Sequence, residues 1–198
     1  LYELCDEYGF YVVSESNIES HGMGFQPKYT LANKEIWLES HMDQTKNNYE
    51  RTKNHACVTF YSLGNEAGNG INMYATYKYL KENETNSQNR PINYEGVRFQ
   101  NNTDMFVPMY PKDDELEDYS SISDLPTVPC EYSHAMGNSN GNINKIWNII
   151  YKFPNLQGGF IWDWVDQGFL EVGKGGKFYW TYGGDYGILI CHLMETSI

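Results

Sequence analysis

Two glutamates end apolar runs in the same way. Within Ala56–Gly68, the β-rich residues Val58, Phe60, Tyr61 and Leu63 lead to Gly64 and then to Asn65 and Glu66. Within Thr127–His134, an apolar run leads to Glu131, followed by Tyr132, Ser133 and His134. Apolar β-formers that give way to glycine or to polarity mark the end of a buried strand. Carboxylates at the carboxyl ends of strands stand where parallel α/β folds put their chemistry. Taken singly, such a glutamate serves equally as a helix N-terminal charge or a solvated loop residue. The repetition is what points to chemistry. Two carboxylates on one face are the equipment of glycoside hydrolysis: one protonates the leaving oxygen, and the other attacks the anomeric carbon or activates a water. The acid of such a pair needs a raised pKa, supplied by burial and by neighbouring negative charge.

Other strand exits carry supporting groups. Phe10–Ser14 reads as a short buried strand whose exit contains Glu19 and His21. Residues two apart in extended chain face one side, so the two side chains project together. With another carboxylate they would form a site for Mg²⁺ or Mn²⁺, and the imidazole would also suit zinc. The plainer alternative is a polar loop with one hydrogen-bonded histidine. Tyr110 and Trp162, at two further exits, offer a hydroxyl and a stacking face. Asn65, beside Glu66, is placed to hold a sugar hydroxyl next to the reacting carbon.

The elements that would position these groups alternate. Leu1–Tyr8 reads as the end of a helix closed by Gly9, and Lys34–His55 as an imperfect amphipathic helix. Met73, Tyr77 and Leu80 give helical spacing over Ile71–Asn83. Short strands are expected at Arg90–Glu95, Asp104–Tyr110 and Leu156–Trp164, and glycine-rich turns at Gly173–Gly176 and Gly183–Gly184. Pro111–Asp124 is a charge run that reads as a solvated loop or helix and is given no function. Ile143, Ile146, Trp147, Ile150 and Tyr151 mark the most regular helix, stopped by Pro154. Strand–helix alternation with polar strand exits predicts an α/β fold of the (β/α) barrel kind. An open doubly wound sheet is the alternative, and no glycine-rich nucleotide fingerprint follows any strand to support it.

Five motifs carry a family resemblance. They are Asn17–Met23, Ser62–Glu66, Pro108–Tyr110, Cys130–Asn138 and Gly158–Gln167. In this order they resemble the catalytic barrel of the large glycoside hydrolase family 2 β-galactosidases, over Leu1 to about Gly187. The resemblance implies a retaining enzyme with Glu66 as acid/base and Glu131 as nucleophile. It implies Mg²⁺ held by Glu19, His21 and Glu66, a hydrogen bond from Tyr110 near the nucleophile, a galactose contact from His134, and Trp162 as the floor under the sugar. It also implies a β-galactoside substrate and a parent enzyme that is a homo-oligomer. The extended motif around His134 favours a galactosidase over the glucuronidases and mannosidases of the family. An inactive fragment that at most binds sugar remains the alternative from another class. His41, His55 and His192 match no site motif.

The sequence departs from the resemblance in length and at its end. A complete barrel takes about 250 residues, and this chain has 198. Six strands are expected, corresponding to the third to the eighth of a (β/α)₈ barrel. The stretch 188–198 does not look like the family. Back-translated with one G restored in front, it reads Asp-Thr-His-Leu-Ser-Ser-Asp-Gly-Asn-Phe-Tyr, which does, so a single-base deletion is the expected cause. The loop that supplies a Na⁺ or K⁺ site in the family would then be lost. Residues 1–187 are expected to form the catalytic barrel domain, incomplete at its start. Ser14 and Ala56 are smaller departures, where the family usually has aspartate and proline.

Bulk properties fit a globular enzyme. Hydrophobic residues make up 40% and charged residues 20% of the chain. The net charge of −12 argues against binding a phosphate backbone. No apolar run reaches membrane-spanning length, and a cytoplasmic rather than periplasmic location is the expectation. Cys5, Cys57, Cys130 and Cys191 form no C-x-x-C pair and are expected as free thiols, with Cys57 and Cys130 in core strands.

Overall fold

The computed structural model describes residues 1–97, 100–135, 139–163, 165 and 168–186. The chain divides into two compact units, Leu1–Trp162 and Asp163–Ile198.

The first unit is built on a parallel sheet. Strands β1 (Val12–Glu15), β2 (Val58–Ser62) and β3 (Ile92–Asn93) lie side by side in that order, with Ser14 opposite Tyr61 and Ser62 opposite Asn93. Three further extended segments continue the sequence in parallel. Asp104 N–H donates to Ile92 O, Phe106 pairs with Thr127, Met109 with Glu131, Thr127 with Leu156, and Tyr132 with Ile161. The result is six parallel segments in chain order, a partial (β/α) barrel, as the alternation predicts. The last three are single bridges rather than regular strands. Pro108, Pro126 and Pro129 interrupt them, because proline has no N–H for the ladder.

Helices occupy the connections. α1 (Tyr2–Tyr8) ends on Gly9 at φ 75°, and α2 (Leu38–Thr52), α3 (Ile71–Thr85), α4 (Asp113–Ile122) and α5 (Ile143–Lys152) follow the successive segments. α2 starts four residues later than its periodicity suggests, because 3₁₀ turns at Leu31–Asn33 and Glu35–Trp37 precede it. Its inward face is His41, Thr45, Tyr49 and Thr52. The charge run expected as a solvated loop or helix forms the helix α4, whose Leu116 is buried with Ile150 and Leu156. Three acidic residues in its first turn suit the positive end of the helix dipole.

The main core lies between β1–β3 and α2–α3, around Tyr49, Val58, Tyr61, Leu63, Met73, Leu80, Ile92 and Tyr94. Inside the curve of the sheet, a cavity of about 200 Å³ is lined by Val13, Glu15, Phe60, Ser62, Val107, Cys130 and Phe160 among others. Cys5, Cys57 and Cys130 are free thiols, as expected. Burial pushes the Cys57 thiol up to about 11 and raises Cys130 further. Among the described residues, no helix is long and apolar enough to cross a membrane.

In the second unit, the glycine-rich turn expected at Gly173–Gly176 connects a hairpin. β4 (Phe169–Val172) pairs antiparallel with β5 (Phe178–Thr181), and Gly175 and Gly176 supply positive φ in the connection. The stretch 188–198, Cys191 and His192 lie outside the described residues, as do Asn138 and Gln167 of the motifs.

Candidate active site

The exits of the six segments all belong to one end of the sheet, since the segments are parallel. Each predicted site residue stands at one of these exits. Glu19 follows β1 and bridges Asn65, whose N–H donates to Ile18 O at 2.9 Å. Glu66 follows β2, Tyr110 the fourth segment, Glu131 the fifth and Trp162 the sixth.

The carboxylates sense one another. Burial raises the Glu131 pKa, the Tyr110 hydroxyl bond lowers it, the Glu66 charge raises it and His134 lowers it, with a net rise. Tyr110 N–H also donates to Glu131 O at 2.8 Å, which ties the tyrosine backbone to the glutamate. The Tyr110 ring meets His134 edge-on, centroids 5.5 Å apart. Trp162 N–H donates to Tyr132 O at 3.1 Å, next to Glu131, and Trp162 O accepts from Ala135 N–H, next to His134. Tyr110, Glu131, His134 and Trp162 thus form one connected group.

The backbone is strained at three of these exits. Glu66 has φ 39°, Tyr110 46° and Ser133 54°. Left-handed non-glycine residues cost about 1–3 kcal/mol each, persist only where the surroundings hold them, and cluster at functional sites.

On the other side, His21 Nδ1 lies 2.8 Å from Glu66 Oε2. Glu19 Oε1 is buried without a hydrogen-bond partner, and burial and the Glu66 charge raise the Glu19 pKa. Two carboxylates and an imidazole are the donor set of a divalent cation site, and an orphaned buried oxygen is what such an ion would satisfy. The residues therefore fit the ion in kind. The three do not converge as tightly as expected: among the described residues, the three-donor group lying mutually within 4.8 Å is Asp6, His55 and Cys57. His21 Nδ1 and Glu66 Oε2 already meet, with His21 in a 3₁₀ turn (His21–Met23), so the looseness lies on the Glu19 side. Asp6 is already satisfied by His55 Nδ1 at 2.6 Å and Cys57 N–H at 2.7 Å, a clasp between α1 and the start of β2.

One carboxylate was not anticipated. Glu95 follows β3, and its Oε1 accepts the Glu66 N–H at 2.8 Å. Burial, offset in part by that bond and reinforced by Glu66, Glu15 and Glu131, raises its pKa to about 7. The signal was in the sequence: Ile92-Asn93-Tyr94-Glu95 repeats the pattern of a short apolar run ending in glutamate. A cavity of about 430 Å³ opens beside Glu66 and Glu95, lined also by Phe25, Gln26, Asn69 and Gln100.

Known proteins resemble the chain in sequence and in fold. The chain is 42% identical to a β-galactosidase of Vibrio cholerae serotype O1, over 94% of its own length and 19% of that protein's. It is 45% identical to a β-galactosidase of Pseudoalteromonas haloplanktis with the same coverage. The chain therefore spans about a fifth of the length of the curated relatives it matches. Among solved structures, it resembles a β-glucuronidase of an uncultured Clostridium species, with TM-score 0.58 and 16% identity over 81% of this chain and 35% of that one. A β-glucuronidase of Ruminococcus gnavus gives TM-score 0.55 and 16% identity over 81% and 35%. At such identities the likeness is one of fold. The family model for the TIM barrel domain of the glycosyl hydrolases family 2 matches residues 1–189, and the chain belongs to that family.

Proposed function

We propose that this chain carries the catalytic carboxylates of a retaining β-galactosidase, with residues 1–187 as one stretch of its catalytic barrel. The observation that supports the reading best is that Glu66 and Glu131 stand at parallel strand exits and are coupled through their charges. The 40–45% identity to proteins named β-galactosidase supports the galactoside as substrate.

In this mechanism Glu131 attacks the anomeric carbon while Glu66 gives its proton to the glycosidic oxygen. The C–O bond breaks, the leaving alcohol departs neutral, and a galactosyl–Glu131 ester remains. Glu66, now a carboxylate, takes a proton from water as that water attacks the anomeric carbon; the bond from that carbon to the Glu131 oxygen breaks, Glu131 returns to a carboxylate, and galactose leaves with retained configuration. Tyr110 holds Glu131 and stabilises its carboxylate. Asn65 and His134 bind sugar hydroxyls, and Trp162 stacks under the ring. Glu19, His21 and Glu66 would hold Mg²⁺, which when bound supplies positive charge beside the Glu66 carboxyl and strengthens it as an acid.

The test is hydrolysis of chromogenic β-galactoside, β-glucuronide and β-mannoside by the purified chain and by the full-length protein carrying it. Release from the galactoside alone, lost in Glu131→Gln, is expected of the full-length protein. Release from the glucuronide or mannoside instead would change the sugar, and turnover that survives Glu131→Gln would sink the mechanism.

A further inference from the structure

The turn that presents Glu66 is tethered by its neighbour in the sheet. Glu66 N–H donates to Glu95 Oε1 at 2.8 Å. Ala67 N–H donates to the Tyr94 hydroxyl at 3.2 Å, and that hydroxyl donates to Gly68 O at 2.6 Å. Three successive residues of the turn are thus held by two successive side chains from the exit of β3. The tether is built in. Tyr94 is almost fully buried, and Gly96 lies under its ring, where a Cβ would come within 2.7 Å of Cε1. Glu66 sits at φ 39°, a conformation that glutamate does not favour by itself. The direction of its side chain depends on that φ, so whatever holds the φ aims the carboxylate.

We infer that Glu95, assisted by Tyr94, is a positioning residue for Glu66: by accepting its N–H it fixes the left-handed turn and so aims the Glu66 carboxyl at the glycosidic oxygen. This rests on Glu66 being the acid/base. Glu95 itself touches no reacting atom. A catalytic group displaced by about 1 Å loses on the order of 10²-fold in rate, so the tether matters for the steps in which Glu66 gives or takes a proton, and of these kcat/KM reports only the first, in which it gives one.

That restriction supplies the test. In the full-length protein carrying this segment, kcat/KM is measured on two β-galactosides. The dinitrophenyl galactoside has a leaving group that departs without a proton; the methyl galactoside has one that needs it. For Glu66→Gln, the methyl-to-dinitrophenyl ratio of kcat/KM is expected to fall by about 10²–10⁴-fold. For Glu95→Leu the ratio falls in the same direction, by about 10-fold or more, while Glu95→Gln keeps an acceptor oxygen and stays within about 3-fold of wild type. Tyr94→Phe, which leaves Glu95 in place and removes the other two tethers, also lowers the ratio and serves if Glu95→Leu does not fold. A merely structural role would lower both substrates equally. Equal losses in Glu95→Leu, or an unchanged ratio in Tyr94→Phe where Glu95→Leu cannot be made, would overturn the inference and leave the Glu66 reading standing. An unchanged ratio in Glu66→Gln would overturn that reading first and the inference with it.

Discussion

Gly64 passes so close to Ile18 that a Cβ on residue 64 would lie 2.5 Å from the Ile18 carbonyl oxygen. That oxygen cannot easily withdraw, because it accepts the Asn65 N–H at 2.9 Å and Ile18 is buried. Gly64 also has φ 147°, outside the range of other residues. The contact joins the exit of β1, with Glu19 and His21, to the exit of β2, with Asn65 and Glu66. Gly64→Ala is therefore expected to lower stability by about 1–3 kcal/mol through overpacking and strain. Urea unfolding should show a lower midpoint with an unchanged slope. An unchanged midpoint would mean that the two exits separate at no cost.

Behind the sheet, Arg90 and Glu84 form a buried pair, Nη2 to Oε1 at 2.6 Å, with side chains 5% and 0% exposed. Glu84 also accepts the Arg90 N–H at 2.9 Å, and the guanidinium stacks on Tyr61. Burial alone would push the Glu84 carboxyl up, and the Arg90 bonds more than reverse it. Arg90→Met strands that carboxylate, at a cost of about 3–5 kcal/mol. The lowered Glu84 pKa means that its contribution is present above the ordinary carboxylate range and is lost as pH falls through its folded pKa. The gap between wild type and Arg90→Met should therefore be widest near pH 7 and narrow on acidification. A gap that widens in acid would contradict the pairing.

What the sequence made legible follows from period and position. Six strand exits could be read because each ends an apolar run, and a parallel sheet puts all such ends together. Helices α2, α3 and α5 were legible because apolar residues recur at helical spacing, although in α5 Ile150 alone of the described residues is buried. Pro111–Asp124 read equally as loop or helix because its acidic residues hide the single buried Leu116. Around the legible glycine turn Gly173–Gly176, strands β4 and β5 were not legible because most of their side chains are exposed, leaving no alternation to read. Glu95 was overlooked because its role is spent on a backbone N–H, a partner that no motif encodes. The meeting of His21 with Glu66 comes with a 3₁₀ turn at His21, which extended-chain reasoning cannot foresee.

Tyr110 gives a prediction about the nucleophile. Burial raises the Glu131 pKa, and the Tyr110 hydroxyl lowers it in part. Under the proposed mechanism Glu131 must be ionised to attack. Tyr110→Phe removes a hydrogen bond to a charged group, worth about 1.5–3 kcal/mol. The kcat/KM of the full-length protein should fall by about 10–100-fold, and its acid limb should move to higher pH as the Glu131 pKa rises further. An acid limb that stays in place or moves down would show that Tyr110 does not hold Glu131 in its charged form.

Glu19 tests the cation independently of turnover. Its Oε1 is buried without a partner, and its pKa is raised by burial and by the Glu66 charge. Such a carboxylate destabilises the fold at neutral pH, because its charge is cheaper in the unfolded chain. An ion that binds only the folded state would reverse this, adding about 2.7 kcal/mol at a concentration 100 times its Kd. Mg²⁺ is therefore expected to raise the thermal midpoint of the wild-type protein, and a chelator to remove the gain. In Glu19→Gln the midpoint without Mg²⁺ should rise, since the buried charge is gone, and the response to Mg²⁺ should shrink. Acidification should act like the substitution, protonating Glu19 and weakening the Mg²⁺ response as pH falls through its raised pKa. A wild-type midpoint indifferent to Mg²⁺ at neutral pH would remove the ion from the site and leave the His21–Glu66 pair as an ordinary ion pair.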